Sequence, residues 1–144
     1  MVDVSEKAVT LRTAIAQAEI HLLPDTIELI RAGLVKKGDV LTVSKIAGMM
    51  AAKQTSSLIP LCHPIKLEKI NVDIQIEDAR NCLVIRSAVA AQDKTGVEME
   101  ALTAASIAAL TVYDMVKAVD RSASIQNVYL LEKKGGKSGE FIHV

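Results

Sequence analysis

Tryptophan is absent from the 144 residues, and only one phenylalanine and two tyrosines occur, so any core must be built from Ala, Val, Ile, Leu and Met. With so few aromatic rings, a surface that stacks single-stranded bases is disfavoured. A basic excess is missing too. Lys and Arg number 17, Asp and Glu number 17, and the formal net charge is zero, whereas a general nucleic-acid binder carries surplus positive charge. Cysteine is scarce: Cys62 and Cys82 supply neither a disulfide framework nor a CxxC metal motif. The histidines His21, His63 and His143 show no ligand spacing, so no protein-built metal site is expected. No apolar run approaches the roughly 20 residues of a membrane span. The opening MVDVSEKAV is polar and acidic, unlike a signal peptide. The expectation is a cytoplasmic protein with no membrane and no nucleic-acid partner. What is present is a chain that is 50% hydrophobic and the right length for one domain, residues 1–144, with a real core. A neutral chain so rich in apolar residues is expected to form a homo-oligomer.

Periodicity organises the chain into a mixed pattern. Residues 1–7 are a short polar N-terminal arm. Val9, Leu11, Thr13 and Ile15 alternate with Arg12 on the other face, predicting a strand over Val9–Leu22. Pro24 and Asp25 open a short helix that Gly33 ends. After the Lys36–Asp39 turn, a second helix is predicted over Val40–Thr55, with Val43, Ile46, Ala47, Met50 and Ala51 on one face. SSLIPLCHP, Ser56 to Pro64, carries two prolines four apart and fits neither helix nor central strand, so an ordered loop is expected. The cleanest alternation is Ile70, Val72, Ile74 and Ile76 against Asn71, Asp73 and Gln75. Its hairpin partner is Cys82–Ala91. A long helix then runs from Gly96 to about Val119, a last strand covers Ile125–Lys133, and 135–144 is a flexible tail. The order is the α+β, ferredoxin-like βαββαβ pattern, an antiparallel sheet with helices on one face and an extra helix in the first crossover.

The long helix carries charge at both ends and small residues between them. Asp114 and Lys117 are three apart and share a face. They suit either a surface ion pair or a pocket pair doing general acid–base chemistry. Glu98 and Glu100 complement the helix dipole in the first turn. Fourteen residues separate Glu100 from Asp114, which is roughly 21 Å of helix rise, too far for one compact pocket. If both ends serve one site, two antiparallel copies of the helix must meet across a two-fold. His63, between two prolines, is either structural or an imidazole held rigidly for chemistry. GGKSG, Gly135 to Gly139, fails as a P-loop because position 131 is Leu131. Its backbone N–H groups and Lys137 can still hold phosphate. Lys37, Lys53, Lys133 and Lys134 together hint at an anionic substrate.

MVDVS, KGDV, IAGMMAAKQT, LIPLCHP, KTGVEMEALTAAS, YDMVKA and GGKSG, spread from Met1 to the tail, resemble the cyclic pyranopterin monophosphate synthase family of molybdenum cofactor biosynthesis. That resemblance implies a lyase that converts 3′,8-cyclo-7,8-dihydro-GTP into cyclic pyranopterin monophosphate with release of pyrophosphate. It further implies a ferredoxin-like subunit assembled as a hexamer, a trimer of dimers, with active sites at the dimer interfaces. Carried over motif by motif, Asp114 and Lys117 match the catalytic pair, joined by His63. Leu61, Cys62, His63, Met99 and Glu100 match substrate-binding positions; Glu98, Lys37, Lys53, Lys133 and Asp3 match further pocket residues. No cofactor built into the protein is implied, and Mg²⁺ enters only with the substrate phosphates. Arg31–Lys36 and Ser56–Ser57 match no family pattern. The competing reading from another class is a non-catalytic small-ligand-binding regulatory domain; the charged helix ends favour an enzyme.

Overall fold

Strand alternation and one apolar helix set the architecture. The computed structural model of the protein describes residues Met1–Val144. Its elements are β1 (Thr10–His21), α1 (Pro24–Arg31), α2 (Val40–Lys53), α3 (Thr55–Leu58), β2 (Lys69–Glu77), β3 (Cys82–Asp93), α4 (Glu98–Val116), β4 (Ser124–Lys134) and β5 (Phe141–Ile142). The sheet order is β2-β3-β1-β4-β5, every adjacent pair antiparallel. The first four strands realise the split βαββαβ pattern that the sequence predicts. The first crossover holds three helices, because the start of the expected 56–64 loop folds as α3. The tail contributes β5, whose Phe141 and Ile142 pair with Lys133 and Glu132.

Helices cover one face of the sheet. Ala14, Ala16, Ala18 and Ile20 of β1 and Leu83, Ile85, Val89 and Ala91 of β3 point into that layer, all essentially fully buried, as alternation along a strand requires. α4 lies over them with Ala101, Ala104, Ala105, Ala108 and Ala109, each 0% exposed. Methyl groups on both sides let the helix sit close to the sheet. α4 is long and apolar enough to cross a membrane by composition. Here it is the central helix of the core, so its apolar length is explained by sheet packing.

α2 packs beside α4 with a different face from the expected one. Val40, Ser44, Gly48, Ala51 and Ala52 are buried, while Val43, Ile46 and Met50 are exposed. Close helix–helix approach explains the rotation. A Cβ built on Gly48 would stand 2.9 Å from the Ala104 carbonyl oxygen and 3.2 Å from both Ala108 Cβ and Val72 Cγ2. Small residues therefore face the partner helix and larger apolar ones face outward. Gly48→Val is expected to lower unfolding stability by about 1–3 kcal/mol through overpacking, read as a drop in denaturant midpoint at unchanged m-value.

The other face of the sheet carries polar side chains. Arg86 Nε donates to Gln17 Oε1 and Gln17 Nε2 donates to the Tyr129 hydroxyl, both at 2.9 Å. β4 pairs with β1 through two register shifts, next to Asn127 in the left-handed region at φ 52°.

Candidate active site

Two clusters of predicted residues form at opposite ends of α4. At its C-terminal end, Lys117 Nζ lies 3.0 Å from Asp114 Oδ1. Lys37 Nζ lies 3.0 Å from both Asp114 Oδ2 and the Asp114 carbonyl oxygen. Lys37 reaches α4 from the turn before α2, where Gly38 takes φ 118° and Asp39 caps α2 by accepting from Thr42 N–H at 3.1 Å. Hydrogen bonds from Lys117 and then Lys37 hold the Asp114 carboxyl below the usual carboxylate range. The group is an ionised carboxylate clamped by two ammonium groups. About half of each side chain is exposed, so within one chain the cluster is open to solvent.

At the N-terminal end a cavity of about 260 Å³ is lined by Leu61, Cys62, His63, Glu98 and Met99, with Ile59, Ile65, Thr95 and Gly96. The rigid segment after α3 thus brings Leu61, Cys62 and His63 to the first turn of α4. Glu98 is bonded to Lys133 Nζ at 2.7 Å. Burial raises its pKa, but the Lys133 hydrogen bond and charge outweigh that and leave it lowered. Glu100 is different. It is 2% exposed, Oε2 has no hydrogen-bond partner, and Oε1 faces Cys62 Sγ at 3.9 Å. Burial, with the charge of Glu98 adding to it, pushes Glu100 up. Burial likewise raises the Cys62 thiol, assisted by Glu100. The cavity wall therefore carries an ionised Glu98, and buried behind its Cys62 lies a Glu100 biased towards its neutral acid.

Asp3 and Lys53 stand apart from these side-chain clusters. Asp3 Oδ1 accepts from Ser5 N–H at 2.9 Å, and Lys94 Nζ donates to the Ser5 carbonyl at 3.3 Å, which tethers the arm near the start of α4. Lys53, at the end of α2, lines a separate recess with Met49, Leu67, Glu68, Lys69 and Ile70.

The structure also joins Lys137, marked above as able to hold phosphate, to two cations that pattern reading passed over, Lys7 and Arg12. Lys7, Arg12 and Lys137 line a recess of about 390 Å³ with Thr10, Gly136 and Ser138, and no carboxylate is among them. Arg12 is buried and donates to the carbonyls of Asp93 at 3.1 Å and Lys94 at 3.0 Å, fixing the turn before α4. Gly135 and Gly136 take φ 102° and 78°. A Cβ on the first would strike the Leu11 carbonyl, and one on the second the Arg12 guanidinium. The only signal for this recess in the sequence is the paired glycine beside a lysine.

Comparison with known proteins then places the chain. The MoaC family profile matches residues 1–136. A protein of Methylobacterium nodulans named cyclic pyranopterin monophosphate synthase is 57% identical over 139 residues, covering 96% of this chain and 87% of that protein. Proteins of the same name from Listeria monocytogenes (55% over 141 residues, 98% and 88% covered) and Thermomicrobium roseum (54% over 139 residues, 96% and 84% covered) are similarly close. A whole-domain match of this extent, on residues that the fold gathers at both ends of α4, makes the chain a member of the MoaC family.

Proposed function

We propose that the protein is a cyclic pyranopterin monophosphate synthase. It takes 3′,8-cyclo-7,8-dihydro-GTP and releases cyclic pyranopterin monophosphate and pyrophosphate in molybdenum cofactor biosynthesis, in the cytoplasm. The observation that carries this reading is the Asp114 carboxylate with two lysine ammonium groups at 3.0 Å, within a chain 53–57% identical to proteins of that name. A fixed array of N–H donors on one carboxylate is built to deliver and recover protons. Opening the purine ring and closing the pyranopterin require repeated transfers of that kind.

Asp114 is the anchor rather than a strong base, since both lysines favour its ionised form. It orients Lys117, which donates and accepts the proton, while Lys37 balances the charge on its other oxygen. Cyclisation follows when a ribose oxygen attacks the α-phosphorus and the bond to the pyrophosphate oxygen breaks. Negative charge then grows on the leaving group, where positioned cations contribute most. The Lys7, Arg12 and Lys137 recess and the nearby lysines supply such cations. In this reading any Mg²⁺ in the reaction arrives on the substrate phosphates.

The separation of the two clusters along α4 supports a shared, inter-subunit site. They stand about 21 Å apart by helix rise, and the Asp114 cluster is open to solvent. We assign the active site to a dimer interface, where one protomer gives Asp114, Lys117 and Lys37 and its partner gives His63, Cys62 and Glu100. The exposed Val43, Ile46 and Met50 of α2 and Leu110 of α4 supply apolar area for association, and a hexamer built as a trimer of dimers completes the proposal. Purified protein is expected to release one pyrophosphate per substrate consumed; none would sink the activity. Mixing inactive Asp114→Asn and His63→Ala proteins is expected to restore activity through hybrid dimers carrying one intact site. No recovery despite proven subunit exchange would place both residues in one chain's pocket.

A further inference from the structure

On the sheet face opposite α4, three donors of different chemistry converge where the activity above has no use for them. Glu19 Oε2 and His21 Nε2 lie 2.9 Å apart. With Cys82 Sγ, one ligand atom from each residue falls within 4.8 Å of the others. Strand geometry produces the group. Glu19 and His21 are two apart on β1 and so share a face, and His21 is the register partner of Cys82 on β3. We propose that Glu19, His21 and Cys82 form a binding site for a borderline-soft divalent cation of the Zn²⁺ type.

Several features favour a cation over a plain polar cluster. Thiolate, imidazole and carboxylate together suit Zn²⁺ and its neighbours better than Mg²⁺ or Ca²⁺. Zinc bonds of about 2.0–2.1 Å to N and O and about 2.3 Å to S give tetrahedral edges of about 3.3 and 3.6 Å. The Glu19–His21 separation is already near the first, so an ion replaces their shared proton with a small outward movement of the side chains. Support around the ligands is in place as well. Arg80 Nη1 donates to both Glu19 oxygens at 3.0 Å, and Asn127 Nδ2 donates to Oε2 at 2.9 Å. Such outer partners orient a ligating carboxylate.

Charge balances too. Arg80 is paired with Glu77, Nε to Oε1 at 2.7 Å and Nη2 to Oε2 at 2.8 Å. That leaves the Glu19 carboxylate and the Cys82 thiolate to neutralise a divalent ion, and the thiol proton leaves to buffer as the metal binds. Glu19 and Cys82 are 3% and 0% exposed, whereas His21 is partly open to solvent. Solvent therefore reaches the group from the His21 side.

The test uses the full-length assembled protein, stripped with a chelator and titrated with Co²⁺ alone, then with Zn²⁺. One Co²⁺ per chain is expected, with a near-ultraviolet thiolate charge-transfer band that Zn²⁺ abolishes by displacement. Cys82→Ser should lose the band, and His21→Gln should weaken binding at least about tenfold, as loss of a metal-supporting group does. Cys62→Ser should keep the band. Absence of a band in the parent protein, a band that survives Cys82→Ser, or one lost only in Cys62→Ser overturns the site. If Cys82→Ser does not fold, unchanged Co²⁺ affinity in His21→Gln overturns it equally. None of these readouts depends on turnover.

Discussion

Asp114→Asn and Lys117→Ala are each expected to lower kcat by about 10²–10⁴, the range for losing a positioned proton-transfer group, while circular dichroism and oligomer size stay unchanged. Structural integrity is expected because these side chains are half exposed and their ion pairs contribute little to folding in water. The effect on catalysis is large because the geometry is shared. Removing Lys117 leaves Lys37 on Asp114 but takes away the proton donor. Removing the Asp114 charge frees both ammonium groups at once. Lys117→Arg discriminates positioning from chemistry: it keeps a cation beside Asp114 but holds its proton too tightly to give it up. Low kcat with near-normal KM is therefore expected for Lys117→Arg in steady-state pyrophosphate release. Near-normal turnover in both Asp114→Asn and Lys117→Ala would remove this end of α4 from the mechanism.

Glu100→Gln is expected to act in opposite directions on stability and on turnover. The carboxyl is buried with Oε2 unpartnered, and burial raises its folded-state pKa above the unfolded value. Unfolded chains therefore lose this proton first as pH rises, and the folded state binds more protons through that window. The sign follows from linkage: this group's contribution falls as pH climbs from the unfolded pKa towards the folded one, and the penalty is complete above it. A neutral amide escapes the penalty. Above that window the variant should be the more stable protein, because it has no charge to strip of water, and well below the unfolded carboxyl's range the difference should vanish. Denaturant titrations on both sides of the window measure this. Turnover should collapse, because an amide cannot exchange the proton that Glu100 holds beside Cys62. A variant that is no more stable at high pH, or that stays active, would show that a partner chain or solvent satisfies Glu100 in the working enzyme.

Strand and helix positions were largely legible in the sequence, since alternation over Ile70–Ile76 and the apolar run of α4 are strong periodic signals. The face of α2 was not. Hydrophobicity ranks Val43, Ile46 and Met50 above Ser44 and Gly48, but a close helix crossing selects by size, and size wins at Ala104. α3 was hidden because the two prolines of the next turn dominate the reading of Ser56–Pro64. In the site, the motifs named Asp114, Lys117 and the Leu61–His63 segment. No spacing rule joins Lys37 to a carboxylate 77 positions away, or Arg12 to carbonyls 81 and 82 positions away. The histidines likewise show nothing when compared only with one another, because the neighbour that matters to His21 is Cys82, brought alongside by strand register.

α4 also works as a gauge. Between Glu100 and Asp114 the helix makes just under four turns, so the two carboxylates differ by about 40° around its axis. One inserted or deleted residue inside that span would turn one end by about 100° and shift it by about 1.5 Å. No local adjustment repairs that, since the intervening alanines are locked against the sheet. Length changes in this chain are therefore expected to be tolerated in the connections around Gly33 and Arg121 and rejected between positions 100 and 114. A library of single-residue insertions, scored for activity, would trace the outline of the helix as one uninterrupted silent stretch, alongside those of the central strands.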